Sequence, residues 1–151
     1  MRIFLAGVMQ GARLDDQIHD QNYRVQITRA LRQSLPDATV TDPWALNPES
    51  VSYDEETARN TFLTMTALAG EADLLIAYLP TVSMGTAMEM WQAYRNNTYI
   101  IAVTPHVHHW AIRFTADEVL PDLPMLLKQI ESGHIARVLR QRVQNGQAPV
   151  D

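Results

Sequence analysis

Apolar residues follow two alternating rhythms along this chain: short unbroken runs, and longer stretches where they recur every three or four positions. The runs are Arg2-Ile-Phe-Leu-Ala6, Ala38-Thr-Val-Thr41, Asp73 to Leu79, and Thr98-Tyr-Ile-Ile-Ala-Val103. Runs of this length, bounded by glycine or proline, read as strands. The one from Asp73 is apolar enough for a strand covered on both faces. Between the first two, Tyr23, Ile27, Ala30, Leu31 and Leu35 mark an amphipathic helix from Asp20 that Pro36 closes. Phe62, Met65, Leu68 and Ala69 form the stripe of a second helix, opened by the capping box Ser52-x-x-Glu55 and ended near Gly70. A third helix is expected from about Thr86 to Asn96. Beyond Pro105, Trp110, Ile112 and Phe114 alternate as a fifth strand would, while Ala116-Asp-Glu-Val looks helical. Two short helices, Met125–Ser132 and His134–Gln144, follow with Gly133 between them.

Strands alternating with helices predict an α/β fold: a doubly wound, flavodoxin-like parallel sheet of order about 2-1-3-4, with a possible fifth strand. The 151 residues are enough for one domain with a full core. The pattern contains no repeat, linker or low-complexity segment.

Composition narrows the function classes. The formal charge is −5, which argues against broad binding of a nucleic acid polymer, because that needs a clustered basic face. A single phosphate at a helix N-terminus is not excluded. Arg137 and Arg140 are three apart on the last helix and read as a solvated face. The chain has no cysteine, so disulfide and thiolate chemistry are excluded. No apolar run approaches the roughly 18 residues of a membrane span, and a first strand from residue 2 leaves no room for a signal peptide. A cytoplasmic protein without a membrane partner is expected. His106-Val-His108-His109 has no second ligand cluster to complete a metal site, so neither metal nor cofactor is expected.

In a sheet of this topology the loops after strands one, two and three converge on one crevice at the C-terminal edge. They are Gly7–Asp16, Asp42–Asn47 and Leu79–Gly85. Glu89 follows the third loop, on the first turn of the expected helix, and Gly85 permits close approach of backbone to ligand. A carboxylate there suits attack on an electron-poor carbon such as the anomeric carbon of a sugar. The same residues also spell Thr86-x-x-Glu89, a capping box in which the glutamate only satisfies a backbone N–H. Asp42 and Trp44 could bind a sugar hydroxyl and stack on a base, or form an Asx-turn and fill the core. Asp15 and Asp16 are further loop carboxylates at that edge, whereas Asp73 starts its strand and reads as structural. Met84 and Met88 pack against helices or make an adaptable wall for a flat base.

Leu5-Ala6-Gly7 ending a first strand, Ala72-Asp73 opening an apolar one, and Ser83-x-Gly85-Thr86-x-x-Glu89 together resemble the nucleoside 2-deoxyribosyltransferase superfamily, which includes nucleotide N-glycoside hydrolases. The resemblance spans roughly residues 2 to 105, with the block from 70 to 104 carrying most of it. It implies that Glu89 is the nucleophile at C1′. It also implies that Ser83 and Gly85, with Thr86 between them and Glu89, lie beside the sugar or its 5′-phosphate. The loop of Gly7, Gln10 and Gly11 would help enclose the ligand. The chain departs from the family at two points. Met65, between Thr64 and Thr66, stands where members usually carry a sugar-binding aspartate. Gly7-Val8-Met9-Gln10-Gly11 lacks the hydroxyl and guanidinium of the Gly-Ser-x-Arg-Gly turn of monophosphate hydrolases. The resemblance implies cleavage or transfer at the N-glycosidic bond of a small nucleoside or nucleotide, in a homo-oligomer of at least two chains. The aromatic stretch Trp110–Phe114 is available for that contact. Two alternatives stay open. One is a non-catalytic nucleotide-sensing domain on the same fold. The other is a phosphoribohydrolase of the lysine-decarboxylase-like group, which shares Gly-Thr-x-x-Glu but has a Pro-Gly-Gly turn where this chain has Pro80-Thr-Val-Ser-Met.

Overall fold

The structure is a computed structural model and describes residues 1–10 and 17–146. Its centre is a parallel sheet made from the apolar runs: β1 (Arg2–Gly7), β2 (Thr39–Thr41), β3 (Leu74–Tyr78), β4 (Tyr99–Val103) and β5 (Glu118–Leu120). The strand order is β2-β1-β3-β4-β5, as the alternation of elements predicts. Ile3 lies opposite Leu74, Leu74 opposite Tyr99, and Ile101 opposite Glu118.

Side chains of a strand alternate between the two faces, and each face here has its own core. Ile3, Leu5, Leu74, Ile76, Ile101 and Val103 pack under α1 (Asn22–Ser34), α6 (Leu123–Glu131) and α7 (His134–Gln144). Phe4, Ala6, Leu75, Ala77, Ile100 and Ala102 pack under α3 (Glu55–Gly70), α4 (Met84–Arg95) and α5 (Trp110–Thr115). Ala6, Ala77 and Ala102 sit toward the C-terminal ends of three adjacent strands. Their small side chains leave room for α4, whose Met90 and Ala93 join this second core. No helix among the described residues is long and apolar enough to cross a membrane.

Several local features differ from the pattern reading. The segment Trp110–Thr115 is a helix, and the strand is Glu118–Leu120. Trp110 and Phe114 are one helical turn apart and meet edge to face at 6.0 Å, while Ile112 alone is buried. The strand is fixed by β4: the Asp117 carboxylate accepts from the Ile100 N–H at 2.8 Å, and the Asp117 N–H donates to the Ile100 carbonyl. Helix α3 is capped by Asp54, whose side chain accepts from the Thr57 N–H at 2.7 Å. Ser52 instead turns its hydroxyl onto the Glu49 carbonyl within a short 3-10 turn, so the expected capping box does not form. The Asp42-Pro43-Trp44 turn starts a one-turn helix, α2 (Pro43–Leu46). At the N-terminal edge, Asp73 accepts from the Arg2 N–H at 2.6 Å.

Gly7, at the C-terminal end of β1, is required by a close approach. A Cβ there would lie 2.2 Å from the Tyr23 hydroxyl oxygen. Tyr23 cannot yield easily, because it is buried and stacked on Tyr78 with ring centroids 4.2 Å apart. Gly7→Ala is therefore expected to lower stability by about 1–3 kcal/mol through overpacking. Urea denaturation checks this, and an unchanged midpoint would contradict it.

Candidate active site

Helix α4 begins one turn earlier than the Thr86-x-x-Glu89 pattern suggests. Ser83 is its N-cap: its hydroxyl accepts from the Thr86 N–H at 3.4 Å and from the Thr86 hydroxyl at 3.2 Å. Thr86 is thus already helical, and Glu89 is the sixth residue of α4, in its second turn. A capping-box glutamate must sit at the third position to reach the N-cap N–H. Glu89 is too far along for that role, and it is not on the first turn.

Its side chain instead lines a cavity of about 390 Å³ at the C-terminal edge of the sheet, a size within the range of small-molecule sites. Glu89 is 9% exposed, and among the described residues no hydrogen bond holds its carboxyl. Burial pushes that carboxyl up to about 8, against the pull of the Arg24 charge. The physical cause is the loss of water around the charged form. At neutral pH, Glu89 is therefore mostly protonated.

Arg24 is the counterweight and is 2% exposed. Its Nε donates to the Gln21 Oε1 at 2.6 Å, and its Nη1 donates to the Leu5 carbonyl and to the Asp42 Oδ1, both at 2.8 Å. Its Nη2 donates to the Gly7 carbonyl at 3.2 Å. One guanidinium therefore joins the exit of β1, the start of α1 and the loop after β2. The pattern reading missed it, although a signal existed: Arg24, Ile27 and Leu31 share one stripe of α1, and a cation on an apolar stripe must be paired if buried.

Of the residues singled out in the sequence, Gly7, Gln10, Ser83, Gly85, Thr86 and Glu89 line the cavity together. Met84 does so at its mouth; Met88 does not. Asp42 and Trp44 are not part of this lining. Asp42 is engaged by Arg24 and by the Trp44 N–H at 3.1 Å, as N-cap of α2. Trp44 is half-buried beside it. Gly11, Asp15 and Asp16 lie outside the described residues. Met65 faces the cavity from α3, where the resembled family carries its aspartate. The segment after α2 supplies wall residues that no motif announced: Asn47, Ser50 and Tyr53, joined by Thr61. The Tyr53 hydroxyl donates to the Asn47 Oδ1 at 3.4 Å. Among the described residues, no group of three or more His, Cys, Asp or Glu is assembled to hold a metal ion.

Comparison with known proteins bears on the fold. No protein-family model matches the chain, and no curated protein matches it in sequence. Solved structures do. A conserved protein from Enterococcus faecalis V583 is similar with a TM-score of 0.60 and 19% identity, over 87% of this chain and 98% of that one. A 2-deoxyribosyltransferase from Bacillus psychrosaccharolyticus gives a TM-score of 0.60 and 17% identity, over 84% and 90%. The CMP N-glycosidase BcmB from Clostridium botulinum gives 0.51 and 17%, over 87% and 98%. At these identities the likeness is one of fold, and it is the fold that the sequence resemblance implied.

A carboxyl raised to about 8 in the folded chain but ordinary in the unfolded chain binds its proton more tightly when folded. Its favourable contribution is full below the unfolded value near 4.3 and is lost as pH rises through 8. Glu89→Gln is therefore expected to stabilise the protein by roughly 4–5 kcal/mol near pH 8 and very little near pH 4. Thermal denaturation of both proteins across that range checks this, and equal melting temperatures at pH 8 would refute it.

Proposed function

We propose that this chain is a divergent member of the nucleoside 2-deoxyribosyltransferase superfamily that cleaves or exchanges the N-glycosidic bond of a nucleoside or nucleotide, with Glu89 as nucleophile. The observation that carries this reading is the Glu89 carboxyl itself: buried, free of hydrogen bonds among the described residues, and lining a cavity at the sheet's C-terminal edge. Support for the bond type comes from the fold shared with a 2-deoxyribosyltransferase and a CMP N-glycosidase.

In this reading the ionised Glu89 oxygen attacks C1′, the C1′–N bond breaks with its electron pair leaving on the base, and a glycosyl ester forms. A second displacement at C1′ by water gives hydrolysis; by another base, transfer. Two inversions give net retention. Ser83, Gly85 and Thr86 would border the sugar, with Gly7 and Gln10 closing the other side. Burial keeps the carboxyl poorly solvated and hence reactive, at the cost of ionising it less readily.

A second reading, a nucleotide-sensing domain without catalysis, is favoured by Met65, which leaves the α3 wall without a carboxylate among the described lining residues. Incubation with a mixed panel of nucleosides and nucleotides, followed by chromatography for free base, separates the two. Glu89→Ala is expected to reduce base release at least about a thousandfold, while wild-type kcat/KM rises with pH toward a plateau above about 8. Thermal stabilisation by ligands with no base released would favour the sensor.

The assembly is proposed to be a homo-oligomer, at least a dimer. Trp110 is 75% exposed and Phe114 61%. On α4 the exposed Met84, Met88 and Trp91 follow one another at helical spacing, with Tyr94 stacked on Trp91. Exposed apolar area of this kind marks contact surfaces. Sedimentation at micromolar concentration is expected to give at least twice the 17.1 kDa chain mass, and Trp110→Glu to weaken the assembly. A single species at the chain mass would contradict it.

A further inference from the structure

Breaking an N-glycosidic bond requires that the departing base carry away an electron pair. A neutral purine or pyrimidine then leaves as an anion unless an acid protonates it. A base that is already cationic leaves as a neutral molecule and needs no proton.

The described wall of the cavity holds no dedicated proton donor. Its ionisable side chains are Glu89 and Tyr53, and the Tyr53 hydroxyl is turned onto the Asn47 Oδ1. Met65 stands on the α3 wall, and Asp42 is consumed by Arg24. The same described wall has no lysine, arginine or histidine, and Arg24, whose charge reaches Glu89 without lining the cavity, is already paired with Asp42, so an anionic group would find no unpaired counter-charge there. A cationic group would meet a carboxyl that has no hydrogen-bond partner among the described residues. Phe62, Met9, Met65 and Met84 line the same cavity, an aromatic ring and three polarizable thioethers suited to a flat cation.

We propose that the preferred substrate is an N-glycoside whose base already carries positive charge, of the N-ribosylpyridinium or N7-alkylpurine class, with Glu89 serving as both counter-ion and nucleophile. This rests on the glycosidase reading above and narrows its substrate. A Glu89 oxygen forms a bond to C1′ as the C1′–N bond breaks, and the released pair neutralises the cationic ring. Water then attacks C1′, the ester C–O bond breaks with its pair returning to Glu89, and the water's proton passes to solvent. Each turnover thus releases one proton, whereas hydrolysis of an uncharged nucleoside releases none. A cation beside Glu89 also favours the ionised carboxylate, so the substrate itself would prepare the nucleophile.

The test uses the full chain with nicotinamide riboside against adenosine, cytidine and 2′-deoxyadenosine, following free base by chromatography and protons in weak buffer. The expected result is a kcat/KM at least tenfold higher for nicotinamide riboside, with one proton per base released. Equal or faster release from the uncharged nucleosides would overturn this inference and leave the glycosidase reading intact. No release from any of them would overturn both. Calorimetry then compares nicotinamide riboside with its reduced, uncharged form on wild-type protein and on Glu89→Gln. Wild type is expected to bind the cation at least tenfold more tightly, and the variant to lose that preference. A preference that persists in Glu89→Gln would remove Glu89 from the counter-ion role.

Discussion

One buried guanidinium organises the rim of this molecule. Arg24 reaches from α1 to two carbonyls of β1 and to the Asp42 carboxylate, with almost no exposure to solvent. An unpaired charge at that depth would cost several kcal/mol, so each partner is held as firmly as the cation needs it. The end of β1, the cap of α2 and the N-terminal turn of α1 are thereby fixed relative to one another. Gly7 and Pro43, which line the cavity, inherit that geometry. Gly7 belongs to the same arrangement, since only a residue without Cβ lets the Tyr23 ring slide beneath the strand end.

Arg24 also sets the electrical environment of Glu89. Its charge favours an ionised carboxyl, but burial outweighs it. The balance leaves Glu89 poised between a stable neutral acid and a reactive, poorly solvated anion. A buried carboxyl that weakens the fold when it ionises fits, under the proposed role, the familiar trade between stability and activity. Thr86, one turn before Glu89 on α4, donates its hydroxyl to Ser83 and not to the carboxyl.

Much of the fold was legible because it rests on local repetition. Apolar runs such as Leu74–Tyr78 and the Ile27-Ala30-Leu31 stripe carry their own period, and alternation of the two dictates a parallel sheet. A short pattern is an uncertain guide: Thr39–Thr41 is read as a strand and is one, but the last strand is missed. Glu118–Leu120 is three residues long, and it is a strand only because the Ile100 backbone supplies partners. The caps failed for a related reason: Ser52 and Thr86 both fit the capping-box spelling, yet Asp54 and Ser83 do the capping. Several S/T/D candidates near a helix start differ by too little in local energy for spacing alone to choose among them.

The sequence by itself determined the strand order, the edge at which the loops converge, and the acidic residue beside the glycine turn there, since all three follow from periodicity and right-handed crossovers. Tertiary structure alone decided which polar groups stay free. Asp42 and Glu89 read alike as loop-edge acids; one is claimed by an arginine eighteen positions away, and the other is buried with no hydrogen-bond partner among the described residues. Burial and pairing depend on residues that meet only when the sheet is assembled, and no local pattern encodes those meetings.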